Sequence, residues 1–180
     1  MKRPNDLKIG FGVPGILSAE STWKLDDTGK EREAAWELYV ELITRALVVK
    51  MAPGTGFVRE YLTSAHQMFG ITRDILRRHG SDIARPKPDG AYSFGLLAVA
   101  TLNHVIRPRT EKWHPLLAAW EAERPEGRTP LDHERAWPQL AECQADLEAM
   151  RVTLERWAAL LAQACGVPEL DVAADRPDLA

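Results

Sequence analysis

At 180 residues, with 45% hydrophobic and 27% charged side chains, the chain has ordinary globular composition and is long enough for one core without disulfide or metal staples. A net charge of −3 and a pI near 6.0 exclude the global basic field that drives nonspecific binding to nucleic acid or membranes. The charge is unevenly spread: from Arg73 to Lys112 eight Lys or Arg face four Asp or Glu, and from Pro130 onward four face ten. Two outcomes fit this pattern, internal pairing of a basic middle with an acidic last helix, or an anion-binding face.

Residues 1–30 carry Gly10, Gly12, Pro14, Gly15 and Gly29 with no helical period, so they read as an N-terminal extension, either laid against the domain or mobile. The start of the chain lacks a sustained apolar run, and no segment reaches the roughly 18 apolar residues of a membrane span. A cytoplasmic protein without a membrane partner is therefore expected. From Glu31 the pattern turns helical: EREAAWELYVELITRALVVKM has good helix formers and a stop at Pro53-Gly54, with apolar residues wrapping most of its circumference. Arg45 lies inside that run, one turn after Glu41.

The second helix is expected over about Phe57 to His79, where Val58, Leu62, Ala65, Phe69, Thr72, Leu76 and His79 alternate in steps of four and three and Gly80 follows as a stop. The connection SDIARPKPDGAYS is longer than a usual helix linker and reads as a mobile loop. Ser93 is placed to cap a third helix that meets Pro108, where a missing N–H and a ring clash should kink or break it. Thr129 and Pro130 suit an N-cap and first helical turn. The last helix has its stripe at Leu140, Cys143, Leu147, Met150, Leu154, Trp157, Leu161 and Ala164, closed by Gly166.

These elements predict an all-α fold, an antiparallel four-helix bundle with a proline-kinked third helix, over residues 31–166, followed by an acidic C-terminal tail at 167–180. Cys143 and Cys165 are too far apart along one helix for a disulfide and read as reduced core thiols. With no Cys/His ligand spacing, neither a metal nor a cofactor is expected.

The candidate site comes from Phe94 to Leu117, FGLLAVATLNHVIRPRTEKWHPLL, an apolar run interrupted by Asn103, Arg107 and His114. Burying such groups unpaired costs about 1–3 kcal/mol for a neutral group and more for a charge, so their placement calls for partners or a ligand. Asn103 and Arg107 share a helical face, and a spacing of seven keeps His114 on it. Arg45, Arg73 and Lys112 would complete a buried donor cluster suited to a carboxylate or phosphate. The alternative is a structural network in which Arg45 pairs with Glu41, Arg73 with an acid of the last helix, and Asn103 with a carbonyl freed by Pro108. The tryptophans, Trp113 included, read as core and interface anchors.

An enzymatic reading is also open. The spacing of Arg107 to His114 falls within the Rx4–6H pattern of HEPN ribonucleases, helical bundles in which His and Arg serve attack by the ribose 2′-OH without a metal. Arg109 to His114 and Arg73 to His79 fit the same permissive pattern.

Three segments, WELYVELITR (Trp36 to Arg45), FGITRDILRRHG (Phe69 to Gly80) and LNHVIRPRTEKWHPL (Leu102 to Leu116), resemble a little-characterised bacterial helical domain. Its pattern is W-x-x-YVEL-x-TR, then LF-x-x-TR-x-x-L-x-x-HG, then LN-x-V-x-RP-x-x-x-KWH, over roughly residues 36–165. The resemblance implies a domain found alone or attached to signalling and defence-type modules, with polar positions at Arg45, Arg73, Asn103, Arg107, Lys112, Trp113 and His114. It also implies an aromatic residue at position 109, which favours Arg107 over Arg109 as the candidate. The expectation is a binding, adaptor or sensor domain of a bacterial signalling or antiphage-defence system. Its partner would be a larger effector or a second copy of itself, with an anionic small ligand in the cluster. Nucleic acid would be a partner only in the ribonuclease reading.

Overall fold

The computed structural model describes residues 5–12, 18–50 and 57–169. It is mostly helical: β1 (Asp6–Lys8), β2 (Thr22–Lys24), α1 (Lys30–Ile43), α2 (Val58–His79), α3 (Phe94–Ala100), a π-helical segment Thr101–Ile106, α4 (Arg107–Ala122), α5 (Pro130–Arg135) and α6 (Leu140–Cys165). Helix α1 packs on α2 and α6, α2 on α4, and α4 on α6. The expected stop at Pro53-Gly54 and most of the acidic tail, residues 170–180, lie outside the described residues.

The described part of the N-terminal extension lies against the helices. Strands β1 and β2 pair antiparallel with Leu7 opposite Trp23. Leu7, Ile9, Phe11, Trp23 and Leu25 are buried, and each such side chain contributes about 1.5–3 kcal/mol of transfer free energy. Trp23 sits between Phe94 and Trp157, with ring centroids at 6.2 and 5.8 Å.

Helix α1 begins where Asp26 Oδ1 accepts the Glu31 amide at 3.1 Å and ends at Thr44, whose hydroxyl turns back to the Val40 carbonyl at 2.7 Å. It is shorter than its helix formers predict, because Arg45 is extended and Ala46–Val48 form a 3-10 turn that buries Leu47 and Val48. That turn packs on α2 and α6, and burial there outweighs propensity. Helix α2 is started from a distance: the buried Glu134 of α5 accepts the Val58 amide at 3.0 Å, a carboxylate at a helix N-terminus.

The 80–93 connection, expected to be mobile, is instead built into the core. Ile83 is fully buried in one 3-10 turn, and Tyr92 exchanges backbone hydrogen bonds with β2 at 2.8 and 3.1 Å. Gly95 allows this packing, since a Cβ there would stand 2.6 Å from the Ala84 Cβ. The third helix does not break at Pro108. Residues 94–122 stay helical throughout, and the disturbance takes the form of the π segment just before the proline. Thr129 caps α5, its hydroxyl accepting the Asp132 amide at 3.1 Å, and α6 closes at Gly166 with φ +68°.

One carboxylate joins these parts. Glu31, fully buried, accepts Trp23 Nε1 at 2.8 Å and the Phe94 amide at 3.3 Å on Oε2, while Lys87 Nζ lies 2.6 Å from Oε1. Burial pushes the Glu31 carboxyl above its ordinary range, a rise that Lys87 and Trp23 reduce without cancelling. In Lys87→Met the upward push is unopposed by that ammonium, so the folded chain holds a proton that the unfolded chain releases. The loss of stability relative to the parent should be small at about pH 4 and grow toward about 3–5 kcal/mol at about pH 8, read from denaturant unfolding at the two pH values. An equal loss at both would contradict this account of Glu31.

Candidate functional site

The floor of the site follows from the register of two helices. Helix α2 presents His66, Phe69, Arg73 and Leu76 at steps of three and four, and the 94–122 rod runs alongside with Val99, Leu102, Asn103, Arg107 and His114. Between them is an open groove of about 790 Å³ with a predominantly apolar lining.

Side chains add donors to backbone carbonyls along the rod, and Arg109 does so beside the N–H that Pro108 lacks. Arg109 Nη1 donates to the Val105 carbonyl at 3.0 Å and to that of His104 at 3.4 Å. Thr110 Oγ1 donates to the Arg107 carbonyl at 3.0 Å. Thr101 Oγ1 donates to Leu97 O at 2.9 Å on the other side of the π segment. Such pairing offsets part of the roughly 3 kcal/mol that an internal proline costs.

Arg107 is fixed from three sides. Its Nε donates to Asn103 Oδ1 at 3.1 Å, its guanidinium carbon lies 4.9 Å over the Phe69 ring, and Nη1 is 3.5 Å from Glu111 Oε1. Arg73 Nε donates to the Phe69 carbonyl at 2.9 Å. Among the described residues, Nη2 of Arg107 and both Nη atoms of Arg73 have no hydrogen-bond partner. The groove therefore carries spare guanidinium donors beside an apolar floor.

His114 is held differently. Arg59 Nη1 donates to its Nδ1 at 3.0 Å, so the ring proton sits on Nε2, which donates to the Leu62 carbonyl at 3.2 Å. Arg59 is itself anchored by Glu121, at 3.0 and 2.6 Å. Burial, then the Arg59 charge, holds the His114 pKa below the usual histidine range. The exposed His66 meets its ring edge-on at 5.7 Å.

The sequence cluster thus divides. Arg73, Asn103, Arg107 and His114 share the groove; Arg45, Lys112 and Trp113 do not. Arg45 pairs with Glu41 at 2.7 Å, as the structural alternative holds, and with Gln67 at 2.7 Å. Trp113 is fully buried on the opposite side of the rod, donating to Asp146 Oδ2 at 2.8 Å and packed edge-on against Trp137. Lys112 covers that ring at 4.1 Å and reaches Glu142 at 2.8 Å. The expected burial of the cluster is corrected as well: Arg73 is exposed and the Arg107 side chain is 48% exposed, because a guanidinium with free donors keeps its hydration. Two pairings of the structural alternative are also replaced, with Arg73 on the Phe69 carbonyl and Arg109, not Asn103, on the carbonyls near Pro108.

The basic middle does meet the acidic last helix, through Lys112 to Glu142 and Arg109 to Asp146. Internal pairing, one of the two outcomes set out for the charge pattern, is therefore present on the side of the rod that faces α6. His66, Phe69 and Arg59 are the contributors that the sequence reading misses. The first two lie on a 66/69/73/76 stripe that overlaps the expected seam of α2 at Phe69 and Leu76 and extends beyond it to His66 and Arg73; Arg59 had no local signal.

A second cavity, about 600 Å³, lies beside the exposed Trp36, and among its lining groups Arg32 pairs with the Ala164 carbonyl and Asn5, and His79 with Glu37. Among the described residues no cluster of His, Cys, Asp and Glu could hold a metal ion, and no helix is long and apolar enough to cross a membrane. No family model, curated protein or solved structure matches the chain.

If Arg59 keeps His114 neutral, Arg59→Met should move the His114 titration upward, since a repelling charge is lost while the neighbouring Glu121 remains. The measurement is an NMR titration of the ring protons; an unchanged or lowered midpoint would contradict the assignment.

Proposed function

We propose that this chain is a binding module, an adaptor or sensor domain, whose working face is the groove between α2 and the 94–122 rod. The observation that carries the reading is the pair of half-free guanidiniums, Arg73 and Arg107, set beside an apolar floor that includes Phe69, Leu76, Val99 and Leu102. A ligand matching this face combines an anionic group with an apolar body, the carboxylate or phosphate meeting the planar forks and the body covering the floor. The mutual packing of α1, α2, α4 and α6 supports an antiparallel four-helix bundle as the rigid support for that face. Placement in a bacterial signalling or antiphage-defence system, with a larger effector or a second copy as partner, rests on the resemblance of the three motif segments.

The ribonuclease reading draws support from the gathering of Arg73, Arg107, His66 and His114 at one groove. It needs a ring nitrogen of His114 to exchange a proton with the ribose 2′-OH, and both nitrogens are engaged, by Arg59 and by the Leu62 carbonyl. Binding is therefore the better-supported function.

Dodecanoate below its micelle concentration should raise the melting temperature of the parent by about 2 °C or more. The shift should be lost in Arg107→Ala, and a dodecyl trimethylammonium control should give none. Equal shifts in parent and variant, or none with any anionic amphiphile, would overturn the reading. Incubation of the protein with tRNA, with and without EDTA, should leave the RNA intact; cleavage abolished by Arg107→Ala with His114→Ala would establish the nuclease instead.

A further inference from the structure

We infer that the occupant for which the groove is shaped is an acidic amphipathic α-helix of a partner protein. This rests on the groove being the binding face and names what it binds.

The α2 wall advances from His66 to Leu76 in steps of three, four and three, and the facing wall repeats at Val99, Leu102 and Asn103 and again at Arg107, Glu111 and His114. Ten residues of helix span about 15 Å, so the repeat continues for roughly three turns. Ridges at i±3 and i±4 on two neighbouring helices are met in register along such a length by the ridges of a third helix.

A site for a small ligand buries most of it, whereas here Val99 is 39% exposed, and Leu96, one turn earlier on the same helix, is 50% exposed. The apolar surface continues along α3 instead of closing into a pocket. Helix-in-groove recognition uses a surface of this kind, with apolar anchors at 3–4 spacing.

The titratable groups facing the groove are His66, Arg73, Arg107, Glu111 and His114. Glu111 is the acid among them, it is 66% exposed, and it already lies against Arg107. The unpaired Nη atoms of Arg73 and Arg107 then select a helix with Asp or Glu flanking its apolar stripe, placed for forked pairing with each guanidinium. A basic helix would meet like charge along the same edge.

The native thiols permit a direct test. Cys143 and Cys165 are buried, and burial pushes the Cys143 thiol up to about 12, so a fluorophore can be placed selectively on Val99→Cys. The probes are helical peptides of about 15 residues with Leu at 3–4 spacing and varied Asp and Glu flanks. Lys-flanked peptides and scrambled peptides of equal composition serve as controls. Acid-flanked members should change the label's emission and bind the unlabelled parent in anisotropy with micromolar affinity. Arg107→Ala or Arg73→Ala should weaken binding about tenfold and Val99→Glu abolish it, with circular dichroism showing the fold retained. No binding by any acid-flanked member, or equal binding by scrambled or Lys-flanked ones, overturns the inference. So does a parent that sediments as a dimer and dissociates in Val99→Glu, because the occupant would then be a second copy. The dodecanoate measurement separates the two levels: with it positive and the peptides silent, the groove stands as the binding face and the helix falls; with both silent, both fall.

Discussion

The Glu31 carboxylate is the interaction on which the rest of the structure depends. Two oxygens in an apolar interior hold the Trp23 indole of the N-terminal hairpin, the Lys87 ammonium of the 80–93 connection and the first amide of α3. A buried carboxylate with one partner would cost several kcal/mol; with a cation and two N–H donors it becomes a specific joint. The neighbouring hairpin and two segments remote in sequence are thereby fixed to the start of α1. The position of α3 fixes where the rod lies along α2, and hence the width of the groove.

Along that rod the two faces do different work. The face toward α6 consumes its charges internally, through Arg109 with Asp146 and Lys112 with Glu142, around the buried Trp113. On the face toward α2 the rod leaves guanidinium donors free in Arg107, as α2 does in Arg73 across the groove, while stacking and amide contacts hold Arg107 in place. Holding a donor group in place while leaving part of it unsatisfied lowers the entropic cost of engaging a ligand. His114 is a wall of the groove, tied at both nitrogens, its pKa held low by burial and by the Arg59 charge.

How much of this was legible in the sequence differs by element. The starts and stops of α2 and α6 followed from periodicity and from Gly80 and Gly166, both at positive φ, because packing stripes and glycine stops are local signals. The early end of α1 was not legible: the 3-10 turn at Ala46–Val48 is stabilised by burial against α2 and α6, which no window on α1 contains. The docked hairpin and the ordered 80–93 connection were likewise hidden, since Trp23 and Lys87 acquire their roles only through Glu31. In the site, the Asn103, Arg107 and His114 strip was readable from helical spacing, and Arg73 from the basic middle of the chain. Lys112 and Trp113 were adjacent in sequence but fall on the other face, a division that spacing alone could have drawn. Arg45 was separated by a helix end that the sequence did not reveal.

Native-state hydrogen exchange tests the central claim most directly. If Glu31 joins hairpin, connection and rod into one unit, the amides of Lys24, Tyr92 and Phe94 should open with free energies within about 1 kcal/mol of those of α1, and all should lose protection together in Glu31→Gln. Hairpin amides that exchange far faster than α1 and α3 in the parent chain, unaffected by that substitution, would contradict it.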